Sequence, residues 1–187
     1  MYEELLRIFT KRRSIRSYKD VQVENDKIEF MLKAAMSAPS ACNTQPWEII
    51  VITESEILGE IREKLPMARY NAPCAIVVCG NANLCRNTKQ MWVQDCSAAM
   101  ENILLAATAI DLGSLWVGIY GVDPYVKAIS NIMGLPEHVI PLGIAYIGYK
   151  NEEKEPRTQY NEKRIYWQVY DRTRKHKSRP KNLKRLG

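Results

Sequence analysis

Residues 96–119 read CSAAMENILLAATAIDLGSLWVGI, a helical pattern that gives way to a strand. The apolar positions of the first part recur every three or four residues and form one continuous stripe: Cys96, Met100, Ile103, Ala107 and Ile110. The pattern predicts a helix over about Gln90–Leu112 that ends at Gly113, followed by a strand or extended loop over Leu115–Tyr120.

Small residues widen the apolar stripe of this long helix: Ala98, Ala99, Ala106 and Ala109. Two of its faces are therefore suited to burial. A helix that is apolar on two faces has more apolar surface than one small domain can cover, so the pattern favours a dimer.

Shorter periodic segments lie on both sides of the long helix. They predict helices at Glu3–Thr10, Glu24–Ala38, Ser55–Leu65 and Pro124–Met133, buried strands at Trp47–Ile52 and Ala75–Cys79, and a last strand at Val139–Tyr149. Helices and strands alternate irregularly and no segment repeats, which is typical of a single α+β domain.

The composition is that of an ordinary globular protein, with 187 residues of which 46% are hydrophobic and 26% charged. The formal net charge of +6 is concentrated at the end of the chain: residues 168–187 hold eight basic side chains against Asp171 alone. We therefore expect a domain over residues 1–167 and a basic tail over 168–187. Such a tail is usually solvated, and no aromatic residue follows Tyr170 to stack on bases, so a nucleic-acid partner is the less favoured interpretation.

Membrane, export and metal chemistry are not indicated. The longest uncharged stretch, Tyr70–Cys85, is short for a bilayer span, and charged residues interrupt the first ten positions, so we expect a cytoplasmic protein without a membrane partner. The cysteines form no C-x-x-C pair and are expected to be free thiols: Cys42, Cys74, Cys79, Cys85 and Cys96. With only His138 and His176 to join them, no metal site is expected.

The common catalytic motifs of hydrolases, phosphate-binding loops and metalloproteases are missing from the sequence. With only two histidines, the chain has few side chains suited to general acid–base catalysis near neutral pH. No catalytic side chain is therefore predicted, and a bound cofactor is the expected source of reactivity in an enzyme of this composition.

Three segments suit ligand binding better than a helix or strand. In the first, Arg12-Arg13-Ser14-Ile15-Arg16, three guanidinium groups and a hydroxyl within five residues suit a phosphate. The alternative interpretation is an exposed basic turn. The second is the loop from Pro39 to Trp47, which is delimited by prolines.

Within that loop, Ser40, Asn43 and Gln45 offer the donors and acceptors that could hold a ring with a mixed polar edge, such as the pyrimidine end of a flavin. The alternative is a turn whose amides satisfy their own backbone. The third segment, Gly113–Ile119, can lay backbone against a planar cofactor because Gly118 has no Cβ; the alternative is a packed strand with a core tryptophan.

Taken together and in order, these segments resemble the nitroreductase family of flavin mononucleotide (FMN) enzymes. The ordered motifs are R-R-S-x-R at 12–16, P-S-A-x-N-x-Q-P-W at 39–47 and L-G-S-L-W-V-G-I at 112–119, followed by IPLGIAYIGY at 140–149 and Glu155-Pro156-Arg157. The resemblance covers roughly residues 5–167. It implies a central, mostly antiparallel sheet flanked by helices, in an intertwined homodimer.

The resemblance also implies roles for individual residues. Arg12, Arg13, Ser14 and Arg16 would bind the FMN phosphate, its ribityl chain and the O2 side of its ring, with Arg157 adding charge at the phosphate. Pro39, Ser40 and Asn43 would come from the other subunit. The backbone of Trp116, Val117 and Gly118 would face the flavin, and the Gly118 N–H would point to N5.

The activity implied is transfer of electrons from NADH or NADPH through FMN to a nitroaromatic, a quinone or a similar small acceptor, by a ping-pong route. The positive charge of Arg16 would stabilise the negative charge that reduction places near N1 and O2. The chain is short for the family, and Gly118 stands where many members carry Glu. Dehalogenase or dehydrogenase chemistry on the same scaffold, and a non-catalytic flavin-binding or redox-sensing protein, are the alternatives.

Overall fold

The computed structural model describes residues 2–85, 88 and 91–174. The chain divides into two compact units, Met1–Arg157 and Thr158–Gly187. Most of the predicted basic tail, residues 175–187, lies outside the described residues, and the domain boundary expected at residue 167 stays a prediction. Among the helices of the described part, none is long and apolar enough to cross a bilayer.

The first unit is built on a four-stranded sheet in which every pairing is antiparallel. Its strands are β1 (Trp47–Ile52), β2 (Cys74–Asn81), β3 (Gly113–Gly118) and β4 (Val139–Gly148), in the order β1-β2-β4-β3. The register of β2 against β4 shifts between Val78 and Cys79. This arrangement confirms the antiparallel α+β fold expected from the sequence.

The two central strands are buried almost throughout, as their unbroken apolar runs predict. The prediction that Trp47–Ile52 is a buried strand is wrong. It forms the edge strand β1, where only Ile52 is buried and the other side chains remain at least partly exposed. An apolar run does not distinguish a central strand from an edge strand, because that depends on which neighbours pair with it.

Five helices accompany the sheet: α1 (Tyr2–Lys11), α2 (Asn25–Met36), α3 (Ser55–Lys64), α4 (Trp92–Ala109) and α5 (Asp123–Met133). One face of the sheet packs against α2 and α4, and the other packs against α3 and α5. The helix α1 buries none of its residues within the chain and contacts α4.

The long helix ends earlier than its apolar pattern predicts. Its C-cap is Ile110, and Asp111 then adopts the left-handed conformation with φ of 60°. Gly113 is therefore not the helix stop but the first residue of β3. A glycine is the usual residue for such a reversal, but aspartate also tolerates it, since its short polar side chain can bond locally.

The second unit, in its described part 158–174, contains a single short helical turn at Glu162–Arg164. The rings of Tyr166 and Tyr170 lie 4.4 Å apart, and the guanidinium of Arg174 lies 4.5 Å from the centre of the Tyr166 ring. Arg174 also donates to the Ile165 carbonyl at 2.9 Å.

Candidate functional site

The basic bend, residues 12–16, follows α1 and runs alongside the beginning of β3. The Ile15 N–H donates to the Ser114 carbonyl at 3.0 Å, and Ser14 and Ser114 form a bridge in the parallel sense. Lys154 donates from its Nζ to the Ser14 carbonyl at 2.6 Å. The bend is thus held to the sheet by its backbone, which leaves its side chains available for other contacts.

The segment after β4 returns to the same place. The Arg157 N–H donates to the Thr10 carbonyl at 2.9 Å, and the Arg13 guanidinium donates to the Glu155 carbonyl. Within the part of the chain that the structure describes, the Arg157 guanidinium and the Ser14 hydroxyl have no hydrogen-bond or ion-pair partner. The fold therefore brings Arg157 to the basic bend although some 140 positions separate them in sequence.

The arginines of the bend are not all free charges. The Nε of Arg12 lies 3.8 Å from Oε1 of Glu101 on α4, and Arg16 donates from its guanidinium to the Ser14 carbonyl at 3.4 Å. Burial raises the pKa of Glu101, and Arg12 opposes that rise. Sequence reasoning missed Glu101, because nothing in its helix pattern indicates that it faces an arginine 89 positions away.

A carboxylate also supports the bend. Glu152 accepts from the Arg16 N–H and, at 2.9 Å, from Lys154 Nζ. Burial by itself would raise the pKa of Glu152, but these donors hold it below its usual value. Neither Glu152 nor Lys154 was singled out from the sequence.

A cavity of about 170 Å³ opens on the side of the bend that carries Arg13. It is lined by four cations and two carboxylates, namely Lys11, Arg13, Lys150, Lys154, Asp111 and Glu153, together with apolar side chains and Thr108. The excess of positive charge around this cavity adds to that of the bend and favours an anion in the neighbourhood.

The polar loop at 39–46 adopts an unusual backbone. Cys42, Asn43 and Gln45 all have positive φ, between 46° and 54°. Ser40 ties the loop together: its Oγ accepts from the Gln45 N–H at 2.9 Å, and its carbonyl accepts from the Asn43 N–H at 3.0 Å. Each non-glycine residue in this region costs on the order of 1 kcal/mol, so three in four positions amount to a strained loop, which is typical of functional sites.

The end of β3 is split between core and surface. The Trp116 indole is half-buried and packs over Gly143, where a Cβ would lie 2.5 Å from the indole nitrogen. Val117 is half-buried on the opposite face of the sheet. Gly118 is exposed, and a Cβ built on it would meet nothing within 4 Å, so the backbone there is open to a ligand.

The predicted site residues therefore fall into three places. The basic bend lies at the first residues of β3 and Gly118 at its last, roughly 13 Å away for four residues of strand. Within the described part of the chain, no hydrogen bond or ion pair joins the loop at 39–46 to the basic bend. One protomer thus presents an elongated surface along β3, with the basic bend at one end and the exposed backbone of Gly118 at the other. The strained loop at 39–46 makes no hydrogen bond to the bend in the described part of the chain.

Comparison with known proteins decides the family. The model of the nitroreductase family matches residues 9–71 and 68–149. The chain belongs to the nitroreductase family. An Archaeoglobus fulgidus protein, described provisionally as an NADH dehydrogenase/NAD(P)H nitroreductase, is 43% identical over 88% of this chain and 97% of its own length.

Two further proteins resemble this chain. An FMN-dependent nitroreductase from Clostridium difficile has a solved structure that is 31% identical, covers 88% of this chain and 99% of its own, and superposes with a TM-score of 0.81. The FMN reductase [NAD(P)H] of Bacillus subtilis is 25% identical over 82% of this chain and 70% of its own length. The resemblance drawn from the five motifs is thereby confirmed at the level of the family.

Proposed function

We propose that this protein is an FMN-dependent oxidoreductase that takes electrons from NADH or NADPH and passes them to a nitroaromatic, a quinone or a similar small acceptor in a ping-pong cycle. The names of its relatives support the flavin and the nicotinamide donor. The observation that carries the proposal is the convergence of the basic bend and Arg157 at one end of β3, while Gly118 lies open at the other.

The residues present fit a phosphorylated flavin. At the beginning of β3, the Ser14 hydroxyl and the Arg157 guanidinium have no partner in the described part of the chain, and the Arg12 guanidinium has only a distant carboxylate at 3.8 Å. Such donors match the oxygens of a phosphate. At the other end of the strand, the open backbone at Gly118 can receive a flat ring without a steric clash.

Each part of the chain then has a distinct task. Arg12, Arg13, Ser14 and Arg157 bind the phosphate and ribityl chain, and Arg16 places positive charge at the O2 side of the ring. With FMN bound, the backbone of Trp116, Val117 and Gly118 would cover one face of the ring, and the Gly118 N–H would be the donor toward N5. Bound FMN supplies the two-electron chemistry, which explains why a chain with two histidines needs no general base of its own.

The second subunit of a homodimer completes the site in this proposal. Pro39, Ser40, Asn43 and Gln45 lie in the strained loop, which does not reach the basic bend of its own chain, so we assign their contacts to the cofactor of the partner. An apolar groove of about 240 Å³ between α1, α2 and α4 offers a surface for the second copy. Its exposed members include Leu5, Phe9 and Phe30.

A charged substitution in this groove tests the dimer. Phe9→Glu places a carboxylate on the apolar surface and is expected to give a monomer that loses FMN. Met67→Glu alters a more exposed apolar side chain outside the groove and is the matched control. Light scattering after size-exclusion chromatography reads the mass, and a dimeric Phe9→Glu protein with normal FMN content would contradict the assignment.

The activity has a direct test. The purified protein should be yellow, should bleach when NADH or NADPH is added without oxygen, and should regain its colour with a quinone or nitroaromatic. Initial rates at several acceptor concentrations should give parallel double-reciprocal lines, as a ping-pong cycle requires. A colourless protein that does not bind added FMN would overturn the proposal.

A further inference from the structure

The first turn of α4 contains a buried carboxylate that sequence reasoning did not single out. Asp95 is 6% exposed, and its Oδ1 accepts from the Ala41 N–H at 3.0 Å. Its other oxygen, Oδ2, is buried and has no hydrogen-bond partner in the described part of the chain. The positive end of the helix dipole favours a carboxylate at this position, which helps to explain why a charge is tolerated there.

The contact made by Asp95 is with the strained loop. Ala41 is the residue between Ser40 and the three left-handed positions that begin at Cys42. The bonds that Ser40 accepts from Asn43 and Gln45 are internal to the loop, so they determine its shape but do not attach it to the rest of the fold. The bond from Ala41 to Asp95 does fix it, because α4 packs against α2 and against one face of the sheet.

A second polar group of the loop is turned toward the same interior. The Oγ1 of Thr44 is buried, and the group it faces is the thiol of Cys85, which is only a weak hydrogen-bond partner. A buried carboxylate oxygen without a partner is costly, and a weakly bonded hydroxyl beside it offsets little of that cost. Packing alone does not account for a carboxylate at this position, whereas its bond to the loop gives it a use.

We propose that Asp95 is a positioning residue for the cofactor site: it holds the 39–46 loop in the left-handed conformation from which Ser40 and Asn43 reach the FMN of the partner subunit. This inference rests on the proposed function. Asp95 itself does not touch the cofactor. It acts through the Ala41 N–H, and its role requires a side-chain oxygen that can accept this hydrogen bond at about 3.0 Å.

Two substitutions at this position separate the acceptor from the charge. Asp95→Asn keeps an oxygen acceptor of the same length and is expected to bind FMN within about twofold of the wild type. Asp95→Leu keeps the size but removes the acceptor, and FMN binding is expected to weaken about tenfold, the order expected for loss of one hydrogen bond to a charged group. If Asp95→Leu does not fold, Asp95→Ser, whose oxygen is too short to reach Ala41, carries the same expectation.

The control is a side chain that holds a loop in another part of the fold. Arg62 on α3 donates to the carbonyls of Tyr70 and Ala72 at 2.7 and 2.8 Å, and so holds a different loop. Arg62→Met should lower the melting temperature of the apoprotein while leaving the FMN Kd unchanged. FMN titration of the apoprotein and thermal melting without FMN are measured for every variant, which separates affinity from stability.

The outcomes distinguish the inference from the proposed function. Weak binding by Asp95→Leu with near-normal binding by Asp95→Asn supports the inference. Unchanged binding by Asp95→Leu, or equally weak binding by Asp95→Asn, overturns it. If Ser40→Ala and Asn43→Ala bind FMN normally, the loop has no part in the site and the inference falls, whereas failure of the wild type to bind FMN refutes the proposed function itself.

Discussion

Replacement of Arg12 by alanine is expected to weaken FMN binding without disturbing the bend that carries it. The backbone N–H of Arg12 bonds to the Ile8 carbonyl at 3.0 Å, and the bend is fixed to β3 through Ile15, so neither contact depends on the Arg12 side chain. A hydrogen bond to a charged group contributes about 1.5–3 kcal/mol. The FMN Kd should therefore rise by about 10- to 150-fold.

The carboxylate of Glu101 modifies this figure. At 3.8 Å it would compete with the proposed FMN phosphate for Arg12, and it would remain beside the site when Arg12 is removed. Two charges at that distance interact by about 4 kcal/mol at an effective permittivity of 20. Both side chains are partly exposed, however, at 28% and 45%, so solvent reduces the interaction to about 0.2–1 kcal/mol.

Glu101→Gln should therefore tighten FMN binding by up to about fivefold, which corresponds to about 1 kcal/mol. The double variant Arg12→Ala/Glu101→Gln should recover part of the affinity that Arg12→Ala loses. The gain should shrink at high salt, since it comes from charges that water reaches.

The assay is titration of the apoprotein with FMN, followed by the quenching of flavin fluorescence at low and at high salt. Arg7→Ala is the matched control, since Arg7 is an exposed arginine on α1, the helix that precedes the bend. Equal Kd values for Arg12→Ala and Arg7→Ala would refute the reasoning and would leave the bend as an exposed basic turn.

Two further predictions concern stability. Tyr149→Phe should lower the melting temperature near neutral pH, because the hydrogen bond from the Tyr149 hydroxyl is the main cause that lowers the pKa of Glu24. A carboxylate with a lowered pKa stabilises the fold above its ordinary pKa and ceases to do so once it is protonated, so the difference from wild type should shrink as the pH falls below about 4. The part due to the bond that Tyr149 accepts from Lys27 should remain, and a difference that does not change with pH would contradict this account. Gly143→Ala should lower the free energy of unfolding by about 1–3 kcal/mol in chemical denaturation, since its Cβ would lie 2.5 Å from an indole nitrogen and 2.9 Å from a carbonyl oxygen of β3. The control is Gly59→Ala, whose Cβ would meet no neighbouring side chain or strand within 4 Å and which should raise the free energy of unfolding by about 0.5–1 kcal/mol. Equal effects of the two substitutions would show that the close approach at Gly143 is unimportant.

The sequence predicted the regular elements well because their signals are local. The helices and strands begin and end within a few residues of the expected positions, including Ser55–Lys64 and Asp123–Met133. The main errors are at places where contacts between residues distant in sequence determine the burial or the end of an element. The exposure of β1 depends on strand order, and the helix stop at Asp111 depends on how α4 leads into β3.

The candidate site shows the same division more sharply. Motif order alone led to the family, to the basic bend and to the polar loop, since those residue types have little use in a helix or strand interior. Arg12 and Glu101, Ser14 and Lys154, and Ala41 and Asp95 are pairs separated by 54 or more positions. Nothing in either member of such a pair indicates the other.

Residue chemistry and spacing along the chain were therefore enough to predict most of the elements, and the ordered motifs were enough to predict the family and to nominate side chains for a phosphorylated flavin. Only the folded chain decided which arginines already have a partner, that Gly118 is open, and that a buried aspartate anchors a strained loop. The physical reason is that periodicity and turn chemistry act over a few residues, whereas burial and pairing are settled by segments that meet only when the sheet assembles.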